Sequence, residues 1–342
     1  MGDDKYNRNA LVNRTLPQMQ LANGLSNSAP PSTDTEKNSS GLNPAINRFA
    51  VKGNAIFTGG AGTLALQGAR ALLEHGLSGL DLYDINPKDD YPGISALRAD
   101  FPSAKILLKQ VDVTNVEILN QAIDETASTL GSIDILCCYA GVVGCVHALD
   151  ISVDEWRRTL EINTTGAFLC AQAVAKKMVD QKTGGSIVFI ASISGHTVNY
   201  PQPQIAYNVS KSSLLHMKSC LAAEWSRYGI RTNTISPGYM DTILNEGDGL
   251  EDARNMWTSR NPIGRMGNPE ELSGALVLLC SGAGSYITGA DLIVDGCWKV
   301  TPRRKCSNMA FTNHVTEHSI RLSNIMLSFY LARGIKLLNC AM

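Results

Sequence analysis

No stretch of this 342-residue chain approaches the roughly 18 consecutive apolar residues of a membrane span, so none is expected to cross a bilayer. Charge of one sign is lacking as well: thirty Lys and Arg stand against thirty-one Asp and Glu, a net charge of −1. No global field therefore draws the chain to nucleic acid, and no nucleic-acid partner is expected. Nine cysteines contain no CxxC pair, and the closest two, Cys137 and Cys138, lie inside an apolar run. That excludes a zinc ribbon and argues against a disulfide framework; reduced, buried thiols of a cytoplasmic protein fit better. Cys145 and His147 have no further ligand nearby, so no metal is expected. The start, MGDDKYNRNA, lacks the basic-then-apolar pattern of a secretory signal, and Tyr6 stands where myristoylation needs Ser or Thr.

What is present is ordinary globular material, 44% hydrophobic and 18% charged, long enough for one large domain with extensions or two small ones. Residues 1–47 are rich in Asn, Ser, Pro and Thr without periodicity and are expected to form a disordered extension. From 48 to 298 short apolar runs alternate with segments of helical length. The runs are 54–58, 80–83, 105–111, 133–139, 186–191, 231–236 and 291–294, which predicts seven buried parallel strands. One doubly wound α/β domain with helices on both faces of the sheet follows. The tail, 299–342, carries seven basic residues and one acid, a net +6 that leaves −7 for the rest. Its segment 320–338 has the apolar content of a helix, read either as an appended or partly disordered end or as a surface- or partner-binding helix.

After the first run comes Thr58-Gly59-Gly60-Ala61-Gly62-Thr63-Leu64-Ala65, followed by a helical segment from Leu66 to His75 closed by Gly76. A glycine-rich turn from strand to helix brings backbone N–H groups and the helix dipole to a pyrophosphate without interference from Cβ atoms. Alone it also fits any α/β turn. Asp84 ends the second run twenty-five positions after Gly59. A carboxylate there accepts hydrogen bonds from an adenosine ribose and repels a 2′-phosphate, which favours NAD over NADP; a solvated turn aspartate is the plainer reading. Asp112, followed by Val113, is placed either to meet an adenine edge or to cap its own turn.

Further along, Asn163 opens a long helix, Ser192 and Ser194 follow the fifth run, and Tyr207 and Lys211 begin another helix. Residues four apart share a helical face, so phenol and ammonium point to one place, where the cation favours phenolate. Such a pair arises often by chance. Joined to the glycine turn, the acid at Asp84 and a serine at a strand end, it becomes specific.

Over residues 53–298 the sequence resembles the short-chain dehydrogenase/reductase family. The resemblance rests on the glycine turn at 58–65, Asp112, Ala140-Gly141, Asn163, Ser192, Tyr207, Lys211, Pro237-Gly238 with Thr242, Thr288-Gly289 and Asp295-Gly296. It implies an NAD(P)-linked oxidoreductase on a Rossmann sheet, assembled as a homo-dimer or homo-tetramer through its two long helices. The segments 194–196 and 199–204 are similar to the fungal mannitol dehydrogenase and sorbose reductase group. Within that resemblance Thr58, Gly59, Gly62, Thr63, Leu64, Asp84, Asp112, Val113, Ala140 and Gly141 would hold the cofactor, NAD before NADP. Pro237, Gly238 and Thr242 would border the nicotinamide, and residues 240–266 would cover a small-molecule substrate. Tyr207 would be the general acid or base, Ser192 would hydrogen-bond the reacting oxygen, Lys211 would lower the phenol pKa and bind ribose, and Asn163 would hold a water leading to Lys211.

Four residues depart from the family pattern: Thr63 and Ala65 replace glycines of the turn, and Cys138 and Tyr139 precede Ala140-Gly141. Ser194 has the commoner spacing to Tyr207, whereas Ser192 aligns with the strand-side motif and is preferred. His196 is expected to be a loop histidine satisfied by hydrogen bonds, with substrate contact as the alternative. Hydride transfer between a nicotinamide and a secondary alcohol or ketone, polyol- or ketose-like, is the expected activity. A nucleotide-binding scaffold without turnover and a reductase of acyl-thioester or polyketide intermediates are the rivals.

Overall fold

The computed structural model describes residues 17–21, 44–89, 91–242, 245 and 250–300. Most of the expected disordered extension, the tail beyond Val300 and its expected helix at 320–338 lie outside the described residues. Two short elements overrun the expected domain limits. Pro44–Arg48 forms a one-turn helix, α1, and Trp298–Val300 a 3-10 turn that continues past residue 298.

Seven parallel strands form one sheet: β1 Asn54–Thr58, β2 Gly79–Asp84, β3 Lys105–Gln110, β4 Ile135–Cys138, β5 Gly185–Ile190, β6 Ile230–Pro237 and β7 Asp291–Val294. Their order is β3-β2-β1-β4-β5-β6-β7. The inner strands β1, β4 and β5 are buried along nearly all their length, which is why they read as unbroken apolar runs. The edge strands β3 and β7 are only half-buried.

Pleating sends alternate side chains to two cores. Phe57, Leu82, Cys137 and Val188 face a layer made by α2 Thr63–Glu74, α3 Pro92–Asp100 and α9 Ser273–Cys280. Ile56, Tyr83, Leu136 and Phe189 face the opposite layer, made by α4 Val116–Leu130, α6 Ala167–Gln181 and α7 Ile205–Trp225. Asn115 caps α4 through the Ile118 N–H, and Ser152 caps α5 Val153–Leu160 through that of Glu155. A further helix, α8 Glu251–Arg260, buries Trp257. None of the helices among the described residues is long and apolar enough to cross a membrane.

Two expectations need correction. Asn163 does not open a helix: α5 and α6 form one rod joined by a π-helical turn, Glu161–Gly166, and Asn163 sits inside that turn. The extra residue per turn carries its carboxamide inward, a device common near functional sites. The first helix after the glycine turn starts at Thr63 instead of Leu66, because Gly62 is its N-cap and Thr63 takes the first helical position.

The strand order reverses between β1 and β4. Beyond their carboxyl ends lies the crevice where ligands of doubly wound sheets bind.

Candidate active site

The glycine turn leaves β1 at Thr58 and enters α2 at Thr63. Gly59 has φ +64°, and a Cβ there would stand 2.8 Å from the Ala140 backbone nitrogen. Thr58 ties the same place down, since its Oγ1 accepts the Ala140 N–H at 3.3 Å. A Cβ on Gly60 would meet Leu82 at 2.8 Å. Position 62 is looser, its nearest neighbour being the Gly59 carbonyl at 3.2 Å. No side chain caps α2, so the N–H groups of its first turn, at Thr63 and Leu64, face the crevice end as an anion-binding terminus.

Asp84, the last residue of β2, accepts the Ala61 N–H and the Asn86 N–H, each at 3.1 Å. Its carboxylate is thus built into the rim of the glycine turn. Asp112 accepts from the backbone and hydroxyl of Thr114, at 2.9 and 2.7 Å, which is the turn-capping arrangement. Val113 is buried, packing where a Cβ on Gly166 would collide with it. Together these features make a cradle that could hold a dinucleotide: a close-approach glycine, an uncapped helix start and an acid beside the turn.

The departures from the family pattern are absorbed by packing. Ala65 is buried against the sheet, and the close helix–sheet approach is made by Gly68, whose Cβ would strike the Tyr139 hydroxyl at 2.6 Å. Tyr139 stacks on Phe57 with ring centroids 5.8 Å apart. Cys138 is buried beneath Lys211 and close enough to affect its charge.

At the ends of β4 and β5 the polar residues converge. Asn163 is buried; its Oδ1 accepts the Val142 N–H, and its Nδ2 donates to the Val142 carbonyl and to Ser210 Oγ, at 2.8, 2.8 and 2.9 Å. Ser210 in turn donates to the Tyr207 carbonyl at 2.7 Å. The π turn therefore braces both the Gly141–Val142 strand exit and the first turn of α7. A Cβ on Gly141 would stand 3.2 Å from Asn163 Oδ1 and 3.6 Å from Lys211 Nζ, so glycine keeps that gap open.

Ser192 follows β5 and is buried close enough to the Tyr207 phenol to favour its ionised form. Ser194 lies behind it: its N–H donates to Ser192 Oγ at 3.1 Å, and the two hydroxyls are 3.0 Å apart. Ser192, not Ser194, is the serine near enough to act on the phenol's charge. Lys211 donates to the Ile190 carbonyl at 2.8 Å, with Nζ 5.6 Å from the Tyr207 ring centroid. Burial lowers its pKa to about 8, partly countered by Cys138. Burial likewise pushes the Tyr207 phenol above its ordinary value, with the nearby Ser192 hydroxyl opposing. The depression of the phenol expected from the neighbouring lysine does not emerge: burial dominates, and the Lys211 ammonium is directed to the Ile190 carbonyl instead.

Gly238 donates its N–H to the Val294 carbonyl at 2.9 Å, and a Cβ there would hit Asp295, so the Pro237-Gly238 corner is locked onto β7. Thr242 is buried close by in sequence. His196 is satisfied by hydrogen bonds: Nε2 lies 2.9 Å from Asp291 and 3.2 Å from Ser236, and Nδ1 lies 3.1 Å from Nζ of Lys299 in the closing turn.

Sequence reasoning did not single out three other residues. Ser210 links Asn163 to Tyr207, and its place between Tyr207 and Lys211 was the available signal. Tyr239 and Trp257 stack with centroids 4.4 Å apart and bond to the loop before α7. No local pattern marks that pairing.

The fold and this constellation define the class. A family profile described as enoyl-(acyl carrier protein) reductase matches residues 59–298, and the chain belongs to the short-chain dehydrogenase/reductase family, whose members are oxidoreductases. It is 33% identical over 257 residues to an NADP-dependent mannitol dehydrogenase of Hypocrea jecorina, covering 74% of this chain and 95% of that one. It is 36% identical over 264 residues to a ribulose-forming D-arabinitol 2-dehydrogenase of Scheffersomyces stipitis, covering 71% and 94%. Among solved structures, a short-chain type dehydrogenase/reductase from Mycobacterium marinum superposes with a TM-score of 0.70 at 36% identity, covering 74% and 98%.

Proposed function

We propose that the chain interconverts a polyol and its ketose by hydride transfer, with Ser192, Tyr207, Lys211 and Asn163 as its working residues. The observation that carries this reading is the gathering of Tyr207, buried Ser192 and buried Lys211 at the ends of β4 and β5, with Lys211 Nζ 5.6 Å from the Tyr207 ring centroid. A bound nicotinamide would supply or accept the hydride. Tyr207 would give its proton to the carbonyl oxygen in reduction and take it back in oxidation. Ser192 would hold that oxygen, while Ser194 fixes Ser192. Lys211 would bind the nicotinamide ribose, and Asn163 would hold a water leading to Lys211 through the gap beside Gly141. Pro237, Gly238 and Thr242 would border the nicotinamide. The names of the relatives, mannitol and arabinitol dehydrogenases, support a polyol substrate.

For the cofactor we propose NAD(H) before NADP(H), although the mannitol-dehydrogenase relatives are named as NADP-dependent. Asp84 supports this, because its carboxylate beside the Ala61 N–H would repel a 2′-phosphate. We place the catalytic domain at 48–298 together with the closing turn to Val300, flanked by the N-terminal extension and basic tail. Homo-dimers or homo-tetramers through α5–α6 and α7 are supported by exposed apolar side chains there, Val153, Ile205 and Val209. The free cysteines among the described residues support a cytoplasmic location. A panel of polyols, ketoses, hydrophobic ketones and acyl thioesters, assayed with both cofactors, tests the reading. Turnover of thioesters alone would replace it, and cofactor binding without turnover would leave a scaffold.

A further inference from the structure

Beside Tyr207 lies a chain of hydrogen bonds that the transfer chemistry does not use. The indole N–H of Trp257 approaches a carboxamide atom of Gln202 at 3.1 Å, and the Tyr239 hydroxyl approaches the same atom at 3.0 Å. An indole nitrogen can only donate, so that atom is the amide oxygen, Oε1. The Tyr239 hydroxyl must then donate to it as well. Its oxygen is left to accept from Asn199 Nδ2, 3.0 Å away. One donor-only group thus sets the direction of the whole chain.

Two polar groups remain at its ends. Asn199 is 2% exposed, and its Oδ1 is buried with no partner, an arrangement that is destabilising unless something donates to it. Gln202 has its oxygen doubly bonded and its NH2 without a partner among the described residues. Both amides approach the same phenol oxygen, so the two side chains are neighbours. The Tyr207 phenol is near enough to oppose ionisation of Tyr239. Trp298 packs edge-on against Tyr239, its indole N–H also buried without a partner.

A free acceptor beside free donors matches an alcohol hydroxyl, which both gives and takes a hydrogen bond. A ketone without further hydroxyls has no use for these groups. We propose that Asn199 and Gln202 form a subsite for the non-reacting hydroxyls of a polyhydroxylated substrate, held in place by Tyr239 and Trp257 as positioning residues. This rests on the hydride-transfer reading above and narrows its substrate to chains bearing hydroxyls next to the reacting carbon.

The decisive variant is Gln202→Glu. It keeps an oxygen for Tyr239 and Trp257, so the scaffold is preserved, but it removes both amide donors. With wild type and variant, KM and kcat are measured on a set of pentuloses and hexuloses and on cyclohexanone. Loss of one such hydrogen bond should raise KM for the ketoses about tenfold or more, with cyclohexanone KM, NADH binding and melting temperature little changed. Trp257→Phe should give a smaller rise of the same kind. An equal loss on cyclohexanone, or no loss on any ketose, would overturn the subsite. Calorimetry of pentitols and hexitols against the NAD complex separates this from the transfer reading. Polyol binding that Gln202→Glu abolishes supports the subsite even in a protein that transfers no hydride. Absence of polyol binding in the wild type overturns it even if other ketones are reduced.

Discussion

The ammonium of Lys211 donates to the carbonyl oxygen of Ile190 at 2.8 Å, so the cation is anchored to the end of β5, two residues before Ser192, and not to the Tyr207 phenol. Burial holds that phenol protonated at neutral pH. Ketone reduction, which needs the proton in place, should therefore hold its rate through neutral pH. Alcohol oxidation needs the phenolate and should accelerate as pH rises into the alkaline range. Profiles of kcat/KM against pH in both directions check this; oxidation that slows between pH 7 and 9 would contradict it.

Lys211 also links activity to stability. Its folded pKa of about 8 lies below the 10.5 of an exposed lysine, so the unfolded chain binds more protons between those values. This group's contribution to stability accordingly rises with pH across that window, by about 3 kcal/mol in all. Lys211→Met should abolish most turnover yet melt no lower than wild type at pH 7, and its advantage should shrink from pH 8 to 10.5. Denaturation curves at three pH values read the difference.

Tyr207→Phe removes the proton donor and keeps the ring. Turnover should fall by at least about 10²-fold with NADH binding retained. Ser192→Ala should be similarly impaired, and Ser194→Ala much less, since Ser194 touches Ser192 and not the phenol. A severe defect confined to Ser194→Ala would reverse their roles.

Asp84→Ser should narrow the preference for NADH over NADPH, because the carboxylate that would face the ribose is gone. Wild-type kcat/KM in favour of NADPH would overturn the cofactor assignment and leave the fold untouched.

Truncation at two neighbouring points separates the closing turn from the tail. Removing 301–342 should leave a soluble, cofactor-binding protein melting within a few degrees of the full chain. Removing 299–342 also takes the Lys299 bonds to His196 and to the Asp295 carboxylate, about 1–2 kcal/mol in total. That protein should melt several degrees lower, which differential scanning calorimetry resolves.

The strands were legible because parallel strands buried on both faces are written as apolar runs, and β1 and β7 fall where those runs begin and end. Boundaries were less so. Gly62-Thr63 reads as turn until one sees that a glycine in extended conformation is the N-cap of α2. The π turn at Glu161–Gly166 has no residue signature; it shows itself only in the inward-facing carboxamide of Asn163, bonded to Val142 and Ser210. Tyr207, Lys211 and Ser192 were legible through spacing and strand position. Tyr239 and Trp257 were not, because their partners are brought to them from 37 and 55 residues away by the sheet.

Gly59 pressed against Ala140, with Thr58 bonded to the same nitrogen, leaves little freedom for change at any of these three positions. Asn199 and Gln202 stand on a loop outside the sheet, where replacements disturb the Tyr239–Trp257 pair and leave the glycine turn untouched. In descent from a common ancestor, such a chain can exchange one alcohol for another by altering that loop, while the hold on the dinucleotide is inherited unchanged.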